Sequence, residues 1–282
     1  MRLSTVKIAG RTTWGVIERE TFRDAGAALA GRYADLKAAI AANFEGVAEA
    51  AATSAATPIS EIEWLPVVPN PDKILCVGLN YETHRKETGR SEVENPTIFA
   101  RYANSQTGHL APIVRPKVST HLDFEGELAV IIGKPGRYIS SAEAMCHVAG
   151  YACYNDVSIR DFQYHTHQFT PGKNFPDTGA FGPWMMTPDE LGPLPDLRLQ
   201  TRLNGQVVQD ATFSQMIFDL ARQIEYCSSF THLEAGDVVV SGTPGGVGAK
   251  RTPPLWMKAG DIVEVEIDKL GRLQNSIVDE TC

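Results

Sequence analysis

The sequence predicts a mainly β, α+β fold in which a small N-terminal domain precedes a larger mixed-sheet domain. Three observations carry this. Residues 1–66 differ in texture from the rest of the chain, three prolines crowd into Leu65-Pro-Val-Val-Pro-Asn-Pro-Asp72, and from Lys73 onward short apolar runs outnumber helix-like stretches. Prolines at that density resist regular structure and mark a boundary, and many short strands with few helices argue against an alternating βαβ order.

In chain order, Leu3 to Ala9 and Thr12 to Ile17 read as short strands, and the alanine-rich stretch Ala27 to Ala56 reads as helical. These make up the small domain, 1–66. In the larger domain, 67–282, strands are expected at Ile74 to Gly78, Leu128 to Gly133, Val148 to Tyr154, Val238 to Val240 and Ile262 to Ile267, each bounded by Gly, Pro or Asp. Helices are expected over Tyr81 to Thr88, Val157 to His165 and Ser214 to Phe230. The last has Met216, Ile217, Leu220, Ile224 and Cys227 at helical spacing.

The totals narrow the function. The chain has 282 residues, 43% hydrophobic and 21% charged, which is globular composition, and a formal net charge of −8 that favours neither nucleic acid nor an anionic membrane as partner. An anionic substrate would have to be attracted by local cations. The start lacks a basic flank followed by an apolar run, and no stretch approaches ~20 apolar residues, so a soluble cytoplasmic protein is expected. Cysteines 76, 146, 153, 227 and 282 are odd in number and form no CxxC, so they read as buried small hydrophobes in a reducing compartment.

Glu-x-Glu occurs five times, at 18/20, 61/63, 92/94, 125/127 and 264/266, so its spacing alone decides nothing. Glu264 and Glu266 alternate with Val263, Val265 and Ile267 as on a half-buried strand, which is a solvated face. Glu125 and Glu127 instead precede Leu128-Ala-Val-Ile-Ile132, apolar on both faces, which places two carboxylates at the mouth of a buried strand. There they repel each other and need a proton or a cation. Asp156 offers a third carboxylate, and an oxygen-only set suits Mg²⁺ or Mn²⁺ better than zinc. The bland alternative is a group of surface or paired carboxylates.

Beyond Asp156, a short helix would bring Arg160, Gln163 and Tyr164 to one face, with Arg160 able to fork onto a substrate carboxylate or else to pair with Asp156 or Asp161. His165 and His167 fall about 200° apart on a helix and are read as exposed. Lys173 lies in a loop dense with Gly and Pro that can present an ammonium to a pocket, or simply to water. His84 and Glu87 are i and i+3 neighbours on a helix stopped by Gly89, the pairing that orients an imidazole as a general base, and equally a common surface pair.

Together these blocks resemble the fumarylacetoacetate hydrolase family, and most closely its shorter acylpyruvate hydrolase and oxaloacetate decarboxylase members. The blocks are Val77-Gly-Leu-Asn-Tyr81 with His84 and Glu87, Asp123-Phe-Glu-Gly-Glu-Leu-Ala-Val130, Asn155-Asp156 with Arg160, Asp161 and Gln163, Gly172-Lys-Asn-Phe175, Gly182-Pro-Trp184, and Ser241-Gly-Thr-Pro-Gly-Gly-Val-Gly248, spanning Lys73 to Asp279. The resemblance implies a mixed β-roll assembled as a homodimer. It implies metal ligands at Glu125, Glu127 and Asp156, a dyad of His84 and Glu87 on a mobile segment, and substrate contacts at Arg160, Gln163, Lys173 and Thr243. Arg101 stands where relatives commonly carry a lysine, and is expected to act as an altered anion clamp.

The implied activity is Mg²⁺- or Mn²⁺-dependent cleavage of a C–C bond in a 2,4-dioxo acid, with His84, Glu87 and Lys173 catalytic. Tyr164 joins the substrate contacts. Oxaloacetate decarboxylation and hydroxydienoate isomerisation use the same enolate chemistry, and a non-catalytic binding module is the rival from another class.

Overall fold

The computed structural model of the protein describes residues 1–281. Its largest sheet has twelve strands, and the centre of that sheet carries the carboxylates. The Gly126–Ile132 strand runs antiparallel to Val148–Asp156 on one side and to Val238–Val240 on the other. Ile74–Gly78 then pairs parallel with Val238–Val240. A second sheet of five strands includes Arg198–Leu203, Ile262–Ile267 and Gly271–Asp279.

The apolar run after Glu127 is explained by what covers each face. Leu128, Val130 and Ile132 pack into a core shared with Leu199, Val263, Val265 and Leu273 of the second sheet. Ala129 and Ile131, one residue out of phase, pack on the opposite face with Trp14, Leu36, Ile40 and Val47 of the N-terminal part. A strand buried on both faces has no polar positions to spare, so its alternation vanishes from the sequence. Each fully buried Leu, Ile or Val there contributes roughly 1.5–3 kcal/mol, which fixes the register that holds Glu125 and Glu127 at the strand's start. Gly126 is required by close approach: a Cβ there would lie 2.0 Å from Thr201 Oγ1.

The strands expected at Ile74–Gly78, Val238–Val240 and Ile262–Ile267 form as read, and Glu264 and Glu266 lie half-buried between buried Val263, Val265 and Ile267. Three elements differ. The alanine-rich stretch makes three short helices, Ala25–Ala28, Leu36–Ala41 and Val47–Thr53, the first two capped by the side chains of Asp24 and Asp35. The helix expected from Ser214 starts instead at Leu220, because Asp219 accepts the Arg222 N–H and caps it. Residues 157–165 give only a two-residue strand, Ser158–Ile159, paired with Leu122–Asp123, and one helical turn, Arg160–Gln163. Cys146 is exposed, not buried, whereas Cys76, Cys153 and Cys227 are buried as expected; Cys282 lies outside the described residues.

Residues 1–66 are joined to the larger part by more than a linker. Arg2–Ile8 pairs with Gly179–Met186, so the N-terminal strands extend the central sheet beyond the Val148–Asp156 and Gly126–Ile132 pair. Among the described residues no helix is long and apolar enough to cross a membrane.

Candidate active site

Glu125, Glu127 and Asp156 come together because Gly126 opposes Asn155 in the antiparallel ladder and the Asp156 N–H donates to the Glu125 carbonyl at 2.8 Å. One ligand atom from each carboxylate lies within 4.8 Å of the others, and all three residues are buried. Such a cluster must be neutralised, and the structure does so unevenly. Lys173 Nζ donates to Glu125 Oε2 at 2.5 Å and Asp156 Oδ2 at 2.7 Å. Arg160 Nη2 lies 2.6 Å from Glu125 Oε1, and Arg101 Nη1 donates to Asp156 Oδ1 at 2.6 Å. Glu127 accepts only the Gly242 N–H, at 2.6 Å, and among the described residues has no cationic partner.

These contacts set the protonation behaviour. Burial pushes the Glu125 carboxyl up, but Arg160 and Lys173 outweigh it and bring it down to about 2. Glu127 is held well above the carboxylate range by burial, and then by the charges of Asp156 and Glu125. Burial works against the Lys173 ammonium, yet Asp156 and Glu125 raise it. The donor set is therefore oxygen-only, densely anionic, and one carboxylate short of a counter-charge. These residues fit a hard divalent cation such as Mg²⁺ or Mn²⁺.

Above the triad, the Glu82–Thr88 helix carries the dyad and ends at Gly89 in the left-handed region (φ 69°), the predicted glycine stop. His84 Nδ1 lies 2.7 Å from Glu87 Oε1, while Glu87 Oε2 accepts the Gly246 N–H at 2.9 Å. The Gly245 N–H donates to Thr83 Oγ1 at 3.1 Å, so the helix is fastened to the glycine loop at two points. Glu87 spends both oxygens on position, which leaves His84 Nε2 as the ring nitrogen available for chemistry.

The triad, His84, Arg160, Gln163, Tyr164, Lys173 and Thr243 all line one cleft of about 610 Å³, open mouth included, a size suited to a small ligand. Three expectations change in detail. Arg101 does not line the cleft. It is buried behind Asp156, where Nη1 also donates to the Val157 carbonyl at 3.0 Å and Nη2 to Thr178 Oγ1 at 2.7 Å, so it orients the Asp156 carboxylate and does not clamp substrate. Arg160 pairs with neither Asp156 nor Asp161; its Nε donates to Asp123 Oδ2 at 2.7 Å and its Nη1 to Gln163 Oε1 at 2.8 Å. Lys173 sits on a helical turn, Thr170–Lys173, is 1% exposed, and finds acceptors in Glu125, Asp156 Oδ2 and, at 3.3 Å, the Asp156 carbonyl. His165 and His167 are exposed, as expected.

Sequence reasoning missed Asp123, whose oxygens also accept the Gly248 and Ala249 N–H groups at 2.7 and 2.9 Å. The residue stands in the Asp-Phe-Glu-Gly-Glu block, but only the fold shows that it ties Arg160 to the glycine loop. Arg90 and Lys250, which also line the cleft, give no signal in sequence, because single exposed cations in turns are ordinary surface residues.

A mixed β-roll around a buried, oxygen-only carboxylate triad defines a protein class: one built to hold a hard divalent cation beside a small-molecule cleft. The chain belongs to the fumarylacetoacetate hydrolase family, since the family model described as the fumarylacetoacetate hydrolase C-terminal domain matches residues 73–278. It is 41% identical over 223 residues to the human mitochondrial oxaloacetate tautomerase FAHD2A, covering 78% of this chain and 71% of that protein. Among solved structures, a fumarylacetoacetate hydrolase from Exiguobacterium antarcticum superposes with a TM-score of 0.88 at 32% identity, over 99% of this chain and 100% of that one. A maleylpyruvate hydrolase from Sphingobium sp. SYK-6, in complex with manganese(II) and pyruvate, gives 0.83 at 25% identity over the full length of both chains.

Proposed function

We propose that this chain is a Mg²⁺- or Mn²⁺-dependent hydrolase that cleaves a C–C bond in a 2,4-dioxo acid, releasing a 2-oxo acid and a carboxylic acid. The observation that carries the reading is that His84, in the wall of the cleft that also holds the carboxylate triad, is paired through Nδ1 with Glu87 Oε1 at 2.7 Å. A cation on Glu125, Glu127 and Asp156 would supply the charge that binds the 2-oxo carboxylate and favours an enolate leaving group. The similar structure with bound manganese(II) and pyruvate supports this assignment of metal and product class.

The protein's own groups do the rest. His84 Nε2 takes a proton from water as the water oxygen bonds to the distal carbonyl carbon. The C–C bond then breaks, its electron pair passes to the carbon between the carbonyls, and the proton is returned there. Glu87 holds the imidazole in place through its Nδ1. Gln163 accepts from Arg160 through Oε1, so its amide N–H groups remain to hold a carbonyl oxygen. The Lys173 donors are already engaged by Glu125 and Asp156, so it serves by setting the positions and charge of two ligands.

A second reading, tautomerisation of oxaloacetate, is favoured by the 41% identity to a protein of that name. It needs only that His84 move one proton between carbon and oxygen. A panel of acetylpyruvate, fumarylpyruvate and oxaloacetate with Mg²⁺ or Mn²⁺ separates the two, by pyruvate release against enol–keto relaxation of oxaloacetate. Undiminished turnover by a Glu127→Ala protein in excess chelator sinks both.

A further inference from the structure

We propose that the cleft selects oxo-acids with a second carboxylate, and that Arg90 and Lys250 at its mouth are the residues that read it. The proposal rests on the 2-oxo acid reading above and names the substrate class within it. The charges in the inner wall, and of Arg101 and Asp123 directly behind it, are its basis. Asp123, Glu125, Glu127 and Asp156 face Arg101, Arg160 and Lys173, four carboxylates against three cations, and every one of those cations already touches a carboxylate. Among the described residues, no side-chain cation inside the cleft is left over for a substrate anion.

The mouth is different. Arg90 and Lys250 both line the cleft, both are exposed, and among the described residues neither makes an ion pair. Their neighbours are engaged: Arg85 pairs with Glu82 at 2.7 Å and Glu92 at 3.4 Å, and Arg251 donates to the Gly246 and Val208 backbone carbonyls at 3.1 and 2.6 Å.

Both free cations stand on anchored backbone. Gly89 ends the dyad helix, and Arg85 Nη1 donates to the Arg90 carbonyl at 3.1 Å. The turn Gly248–Lys250 is held by the two N–H bonds to Asp123. The segments carrying the two cations are joined to each other through the Glu87 contact with Gly246 and the Thr83 contact with Gly245. A substrate whose oxo-carboxylate end lies at the triad therefore presents its far end to two uncompensated positive charges. A carboxylate there gains both; a methyl group gains neither. In a chain of net charge −8, this pair also gives the mouth a local attraction for dianions.

The test compares a diacid with a monoacid of the same chemistry. Metal-loaded wild type, Arg90→Gln, Lys250→Gln, the double variant and the conservative Arg90→Lys are assayed on fumarylpyruvate and acetylpyruvate. Binding of oxaloacetate and pyruvate to the Mn²⁺-loaded proteins is measured by calorimetry. The wild type is expected to prefer the diacid in both readouts, with the ratio of kcat/KM falling roughly two- to fivefold in each Gln variant, further in the double variant, and less in Arg90→Lys. A wild-type ratio near one, or a ratio the double variant leaves unchanged, overturns the proposal. Absence of turnover together with diacid-selective binding that the double variant loses would retire the hydrolase reading and leave this one standing.

Discussion

Replacing Glu127 by Gln separates what the metal does for this protein from what the fold does alone. Glu127 is 2% exposed and, among the described residues, is the one triad member without a cation beside it. With ligand atoms within 4.8 Å, each pair of like charges costs about 3 kcal/mol at an effective dielectric of ~20, and Glu127 faces two such neighbours. Glu127→Gln removes that conflict and keeps an oxygen to accept the Gly242 N–H. The metal-free variant is therefore expected to be as stable as the wild type, or up to about 2 kcal/mol more so. The cost falls on the metal: at a hundredfold excess over Kd, a bound ion stabilises the wild type by about 2.7 kcal/mol, on the order of 5 °C for a chain this long, and the variant loses that shift. Thermal unfolding in chelator and in Mn²⁺ reads both effects. A variant that keeps the metal-dependent shift, or that melts well below the wild type in chelator, refutes the reasoning.

Three further outcomes are set by the geometry. His84→Gln should lower kcat by roughly 10²–10⁴-fold, and Glu87→Gln by less, with metal affinity by titration unchanged in both; loss of metal binding would place the dyad elsewhere than the chemistry. Arg101→Met leaves Asp156 Oδ1, the Val157 carbonyl and Thr178 Oγ1 without their partner and should cost about 3–5 kcal/mol in urea unfolding, whereas an exposed clamp would cost almost nothing. His109 accepts the Gln274 N–H at Nδ1, and burial, then the Arg272 charge, bring it from 6.5 to about 4. The unfolded chain thus binds the extra proton between those values. Stability is complete above about pH 6.5 and falls by up to about 3 kcal/mol as pH drops toward 4, a slope that His109→Asn should flatten in unfolding measured at pH 7 and 4.5.

Strands are legible in the sequence where an apolar run is short and bounded, as at Ile74–Gly78 and Val238–Val240, because both faces of such a strand are covered and little else fits the pattern. Helix starts are less legible. Met216 and Ile217 continue the apolar spacing of Leu220 to Phe230, but spacing does not reveal that Asp219 caps the helix behind them. Within the cleft, the triad and dyad are readable as pairs of residue types. Partnership is not: Arg160 has acidic candidates at 156 and 161 nearby in sequence, and the fold instead delivers Asp123, thirty-seven residues away, through the pairing of Leu122–Asp123 with Ser158–Ile159. The place of Arg101 is hidden for the same reason, since only the sheet decides on which side of Asp156 a guanidinium arrives.

Asp123 has a consequence of its own. One carboxylate clasps Arg160 on the floor of the cleft and the glycine loop on its roof, so neither surface can be remodelled alone. Variation that widens or tilts the reaction centre would have to be concerted across several elements, a rare event. Side chains outside that clasp, on exposed turns, can change one at a time without disturbing proton transfer. The architecture thus divides into a locked interior that preserves one chemistry and a free margin where new substrates are acquired.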